Sequence, residues 1–409
     1  MSTQSEAPRF PFPPSPVPYD PAQEVRELTE KGPVNKVRLP DDSTAWLVTG
    51  FAETREVLID QRYSRALLFA PGRRVYGVEA TLADGIVSMD PPEHTRLRKL
   101  VAGAFTEKRI QALRPQVARI VDDLIDALLA GPRPTDLSHS FSLMVPASVI
   151  CLLLGVPIAD VDRFHAWSNV IFGDWSRSTD EIQEAYGAMG RYMEELIAQK
   201  RRAPGDDLIS VLIDARDAAG KLSELELVKF CIGLLGAGHE TTANSINMSL
   251  VALSQYPGEV AKLRAAPGLI PAAVEELVRY VVIAGSGFVP LARVTREEVC
   301  LGGVTIPAGE TVLPAFYAAN RDPRVFDDPD RLDVGRAPKT HLGFGAGAHH
   351  CLGAQLARME LQEALRGLLT RLPGLRLTVP MSELEFRAGQ SIASMRQLPV
   401  TWDDAGRGG

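Results

Sequence analysis

Cysteine is scarce in this chain of 409 residues. The four present, Cys151, Cys231, Cys300 and Cys351, follow no framework spacing. That excludes a disulfide scaffold and leads us to expect free thiols in a reducing cytoplasm. Long apolar runs are missing too. The longest, Leu143 to Val156, falls short of the ~20 residues a membrane span requires and reads as a core helix. The first residues, Met1 to Pro21, are rich in proline and carry no apolar run, so they read as neither signal peptide nor anchor. No basic block appears and the net charge is −7, which argues against a nucleic-acid partner. Neither an internal repeat nor a dividing linker is visible. The expectation is a soluble cytoplasmic monomer with an extended arm over 1–21 and a single domain over 22–409.

What the chain does have is helical periodicity with a minor β region. Strands are predicted over 34–39 and 45–49 about the turn at 40–43, followed by a short helix over 51–60. Residues 61–88 have no clear period, and a loop of that length is usually functional. From Pro92 onward helices are predicted over 92–105, 108–129, 141–154, 159–173, 179–201 and 206–218. Ser223-x-x-Glu226 is a capping box. It opens a helix free of proline until Pro257, roughly 50 Å long at 1.5 Å per residue. The middle of that helix, Leu235 to Thr242, holds two glycines and two β-branched residues. These are poor helix formers, and local rule-breaking often marks a functional site. A helix over 271–280, strands over 299–301, 304–306 and 311–314, a meander over 318–340 and a helix over 352–372 complete the reading.

The most informative stretch is Phe344-Gly345-Ala346-Gly347-Ala348-His349-His350-Cys351-Leu352-Gly353. Small residues allow a backbone to approach something flat or bulky, and a cysteine there can offer its thiolate to a metal. Three other readings compete. A dinucleotide loop would need glycine where His350 stands. A zinc site could recruit His341, His349, His350 and Cys351, although such sites usually draw on a second ligand pair. A glycine-rich turn around a buried structural cysteine is the third.

The pattern Phe-Gly-x-Gly-x-His-x-Cys-x-Gly resembles the haem-binding loop of cytochromes P450. Ala237-Gly238-His239-Glu240-Thr241-Thr242 resembles the family's oxygen-binding helix. The wording of residues 91–98 and 348–358 is similar to soluble actinobacterial P450s that tailor secondary metabolites such as macrolides. The resemblance implies a mainly α fold, the triangular helical prism around haem b (iron protoporphyrin IX). Cys351 would be the axial thiolate, the ligation that favours O–O cleavage. Phe344, Gly345, Gly347, His349 and Gly353 would complete the cofactor loop, and His94, Arg98 and Arg293, with His349, would grip the propionates. Glu240 and Thr241 would deliver protons as O2 is cleaved. Taken alone, Thr241 would simply bond back to a carbonyl one turn earlier. Glu276 and Arg279 lie three apart on one helix face. The resemblance implies a buried structural ion pair with Arg331 as its third member.

The implied activity is a haem-thiolate monooxygenase that hydroxylates or epoxidises a mid-sized to large apolar substrate. Electrons would come from NAD(P)H through ferredoxin reductase and ferredoxin. Oxidative coupling, rearrangement, peroxygenation, or ligand binding without turnover are the alternatives. Arg96, Lys99, Lys108, Arg109 and Arg358 are candidates for a basic ferredoxin-facing patch. Pocket walls are assigned by position to Leu67, Leu68, Phe69, Val170, Ile171, Phe172, Ala237, Ile283, Ser286, Phe288, Val289, Ile392 and Ala393. Ordinary core packing is the competing reading for each.

Overall fold

In the computed structural model of the chain, residues 7–73, 85–168, 170–171, 177–219, 223–283, 292–337, 339–386 and 394–404 are described. The order begins α1 (Gln23–Lys31), β1 (Val34–Arg38), β2 (Thr44–Val48), α2 (Phe51–Ile59), β3 (Tyr63–Ser64), α3 (Glu93–Ala102), α4 (Glu107–Ala130), β4 (Thr135–Asp136) and α5 (Met144–Leu154). It continues α6 (Val161–Ser168), α7 (Thr179–Arg202), α8 (Leu208–Ala219), α9 (Glu224–Ser254), α10 (Pro257–Ala265) and α11 (Ile270–Tyr280). β5 (Arg293–Thr295), β6 (Val299–Leu301), β7 (Val304–Ile306), β8 (Thr311–Pro314), α12 (Phe316–Ala319), α13 (Ala354–Arg371), β9 (Arg376–Leu377) and β10 (Pro399–Thr401) close the chain.

The helices form one apolar core and the strands sit to one side. One sheet runs β1-β2-β8-β5-β3, with β2 and β8 parallel and the other pairs antiparallel. The β6–β7 hairpin turns on Gly302 and Gly303, with φ of 55° and 80°. Two consecutive positive φ values are what a tight hairpin turn asks of its central residues. The described part of the N-terminal arm lies against this sheet. Phe10 and Phe12 are buried, edge to face, in the same cluster as Val37 and Leu47.

α9 is the axis of the helical part. Both halves of the Ser223–Glu226 capping box are formed, and Glu226 also pairs with Arg96 of α3 at 2.5 Å. From Thr242 to Leu253 nearly every residue of α9 is buried, against α5, α7 and α13. Two of its buried amides are bonded inside the protein, Asn244 Nδ2 to Ser394 and Asn247 Nδ2 to Ser138. α13 packs on α4 across Gly367, where an added Cβ would lie 2.7 Å from Ile125 and 2.8 Å from Val121. Overpacking of this kind costs about 1–3 kcal/mol. Gly367→Val is therefore expected to lower the midpoint of chemical denaturation, with an unchanged slope. Among the described residues, no helix is long and apolar enough to cross a membrane.

Candidate active site

The cysteine loop is a tight turn wedged between α2 and α13. Gly345 and Gly347 both have φ of 70°, a conformation that favours glycine. A Cβ on Gly347 would come within 2.5 Å of the Leu58 carbonyl at the end of α2. The smallness of Gly347 thus serves the packing of α2. Gly353, by contrast, faces open space. The Cys351 N–H donates to the Phe344 carbonyl at 2.8 Å, which closes the turn. The sulfur is recessed but open on one side. Burial pushes its thiol pKa up, while the Gly353 N–H and the charges of Arg98 and Arg358 pull it down. Arg98 also donates to the His350 carbonyl and so ties α3 to the loop. His341 is committed elsewhere, to the Gly343 N–H and to Glu275, which removes it from any zinc set.

In the middle of α9, Gly233 and Ala237 are exposed and Thr241 is half-buried, although the helix lies in the core. These positions are four apart and form one strip of small side chains along a single face. Gly238 does not belong to it. Its missing Cβ would touch Ile150 of α5 at 3.4 Å, so this glycine serves helix packing, not the open face. The Thr241 hydroxyl donates to the Ala237 carbonyl at 2.6 Å. That commits its proton and leaves its lone pairs as acceptors. Glu240 and His239 are buried, and Asn244 Nδ2 donates to the Glu240 carbonyl at 2.9 Å and to Ser394 at 3.0 Å.

Beside the loop, cations are gathered in a buried basin. Arg65 and Arg293 are 2% and 1% exposed and both donate to the Ala292 carbonyl. The His94 and His349 rings stack at 4.3 Å. Burial, and then the neighbouring cations, pull His349 down to about 3 and Arg293 to about 9. Burial also lowers Arg65 to about 10 and depresses His94. Asp90 is the carboxylate that opposes this. A buried basin of positive charge calls for anions.

The sequence model described as Cytochrome P450 matches residues 20–266 and 268–375. The chain belongs to the cytochrome P450 family. It is 46% identical over 380 residues to the mycinamicin IV hydroxylase/epoxidase of Micromonospora griseorubida, covering 92% of this chain and 94% of that protein. It is 44% identical over 403 residues to the nocardicin C N-oxygenase of Nocardia uniformis subsp. tsuyamanensis, covering 98% and 100%. The solved structure of the mixed-function P450 MycG superposes with a TM-score of 0.89 at 45% identity, covering 97% of this chain and 100% of that one. The LnmA P450 hydroxylase of Streptomyces atroolivaceus gives 0.90 at 41% identity with the same coverage. The chain is a P450 monooxygenase, which uses haem and O2.

The residues present fit haem. The macrocycle carries two carboxylates, and the basin offers two buried guanidiniums and two imidazoles. Arg65 was not singled out from the sequence. It sits at the end of β3, and only the β3–β5 pairing brings it beside Arg293. The buried ion pair of this P450 departs from expectation in its third member. Glu276 accepts from Arg279 Nε at 2.8 Å and Nη2 at 2.9 Å, from the Asp333 N–H at 3.1 Å and from Arg336 Nε at 3.0 Å. Arg331 is exposed and takes part through its backbone, its carbonyl accepting from Arg336 at 2.9 Å and its N–H donating to the Asp328 carbonyl at 3.1 Å. The third member is Arg336, not Arg331.

Of the pocket positions, Leu68 is buried in the sheet-side core and Leu67 and Phe69 are half-buried against it. Ile171 belongs to the main core, with Val170 and Ile283 against it. Ala237 alone of the described candidates stands open. Phe172, Ser286, Phe288, Val289, Ile392 and Ala393 lie outside the described residues. Arg358 is no loose surface charge, since it is bidentate to Glu275. Arg96 is likewise paired, whereas Lys99, Lys108 and Arg109 are exposed.

Proposed function

We propose that this P450 hydroxylates or epoxidises a mid-sized to large apolar secondary metabolite of the macrolide class, with Cys351 as the iron ligand. The observation that carries this reading is the open strip of Gly233, Ala237 and Thr241 along one face of α9, together with the exposed Cys351. The mycinamicin relative supports the substrate class. Electrons would arrive from NAD(P)H through ferredoxin reductase and ferredoxin, in the cytoplasm, to a monomer. The exposed Lys99, Lys108 and Arg109 would steer an acidic ferredoxin toward the loop, since charge raises encounter rates more than affinity.

Arg293, Arg65, His94, Arg98 and His349 would hold the haem propionates, and Cys351 the iron. When bound, haem supplies the activation of O2 for insertion of one oxygen atom. The chain's own residues handle space and protons. Gly233 and Ala237 leave room along α9 for small and large molecules. The Thr241 hydroxyl, with its proton given to the Ala237 carbonyl, accepts a hydrogen bond at the open face and so orients a proton donor there. Glu240, buried one residue earlier, passes protons inward to that donor.

Thr241→Ala is expected to keep NAD(P)H consumption but send most of it to hydrogen peroxide. Product per NAD(P)H should fall roughly a hundredfold, the low end of a proton-transfer contribution. Tight coupling in this variant, measured by product and peroxide assays, would count against Thr241. The function itself is tested by adding macrolides and small monoterpene-sized compounds to the haem protein. Macrolide-sized ligands should shift the haem toward high spin and give an oxygenated product with a surrogate ferredoxin system. A shift with small compounds only would overturn the substrate class.

A further inference from the structure

Glu275 is the neighbour of Glu276 on α11, yet its side chain serves a different region. Its Oε1 accepts from Arg358 Nε at 2.6 Å and its Oε2 from Arg358 Nη2 at 2.9 Å. Oε2 also lies 3.1 Å from His341 Nε2. His341 Nδ1 accepts the Gly343 N–H at 3.1 Å, which assigns the remaining ring proton to Nε2. The imidazole therefore donates to Glu275. One carboxylate thus gathers the residue that enters the cysteine loop and the arginine on the helix that leaves it.

The Arg358 guanidinium, pinned from behind, lies 4.4 Å from the centre of the Phe344 ring. A guanidinium over an aromatic ring, with its fork bonded to a carboxylate by two N–H groups, is a geometry that lysine cannot copy. The Phe344 carbonyl in turn accepts the Cys351 N–H. The segment is also pressed on α11. A Cβ on Gly343 would fall 2.5 Å from the Val278 side chain and 2.7 Å from its carbonyl. His341 is almost fully buried, with Arg358 and Glu275 partly so. Burial alone would push the Glu275 carboxyl up. The hydrogen bonds from His341 and Arg358 outweigh it and hold the group at about 2. This is a bidentate, networked pair, not an isolated surface ion pair of small effect.

We propose that Glu275 is a positioning residue for the iron ligand. It holds Arg358 over the Phe344 ring, fixes the turn that presents Cys351, and neutralises a cation whose field reaches the sulfur. The consequence has a sign. Without the Glu275 charge, Arg358 is uncompensated and the site becomes more positive, which favours taking up an electron. Without Arg358 the reverse holds.

The test uses the haem-loaded full chain as Glu275→Gln, Arg358→Met, the double variant and Arg358→Lys. Two quantities are read: the reduction potential, and the rate at which the reduced CO complex loses its thiolate-type Soret band. Expected is a potential raised in Glu275→Gln, lowered in Arg358→Met and near wild type in the double variant. The band should decay roughly tenfold faster in both single variants, as for the loss of a charge-assisted contact. Arg358→Lys keeps the charge but not the fork, so it should decay faster at a nearly unchanged potential. It also serves if Glu275→Gln does not fold. Asp126→Asn, in the exposed pair with Arg371, should match wild type. Unchanged decay in the single variants, or shifts of the same sign in both, would overturn the proposal. The inference rests on Cys351 as ligand, and the two fail differently. A wild-type protein without the thiolate band overturns both, whereas an intact band with silent variants overturns Glu275 alone.

Discussion

Cys351→Ala, loaded with haem, will give a reduced CO complex without the red-shifted Soret band that marks thiolate ligation. Its turnover should drop below about 1% of wild type, because the ligand that favours O–O cleavage is gone. The fold should survive. The side chain is open on one side, so alanine leaves no buried cavity. The contact that closes the turn is made by the backbone, the Cys351 N–H to the Phe344 carbonyl, and remains. The midpoint of thermal unfolding of the haem-free protein should therefore move little, as for a substitution outside the core. A spectrum identical to wild type would remove Cys351 from the iron. So would a wild-type protein whose band already indicates imidazole.

That prediction could be made from the sequence because the features behind it are local. Two glycines at positive φ, a backbone bond across the turn and a cysteine at fixed spacing all lie within ten residues. The Ser223–Glu226 cap and the Gly302-Gly303 turn were legible for the same reason. Other features were legible only in part. The phase of α9 follows from its period: Gly233, Ala237 and Thr241 share a face, and Gly238 is rotated away from it toward Ile150. Arg65 carried no local signal. Its burial depends on β3 pairing with β5, more than two hundred residues later in the chain. Leu67 to Phe69 looked like loop residues free to line a pocket, but Leu68 is buried in the sheet-side core and Leu67 and Phe69 are half-buried against it.

The meander shows the limit most clearly, and it yields the second large effect. Glu276→Gln should cost about 3–5 kcal/mol, the range for removing one partner of a buried ion pair. Against a total stability of about 5–15 kcal/mol, that is a large share. Both Glu276 and Arg279 side chains are 2% exposed. Loss of the negative charge leaves the buried Arg279 guanidinium and the partly buried Arg336 without that carboxylate. The damage spreads because Arg279 also donates to the carbonyls of Asn320 at 2.8 Å and Pro329 at 3.0 Å, which pins the meander to α11. Asn320 in turn receives the Leu342 N–H on its side chain at 2.7 Å, at the approach to the cysteine loop. Haem retention should therefore fall along with stability. Arg336→Ala should follow Glu276→Gln in direction. Arg331→Ala should stay within about 0.5 kcal/mol of wild type, since an exposed residue engaged through its backbone N–H and carbonyl keeps both on truncation. Chemical denaturation of the three variants separates the two arginines. A destabilised Arg331→Ala beside a wild-type-like Arg336→Ala would return the third place in the triad to Arg331.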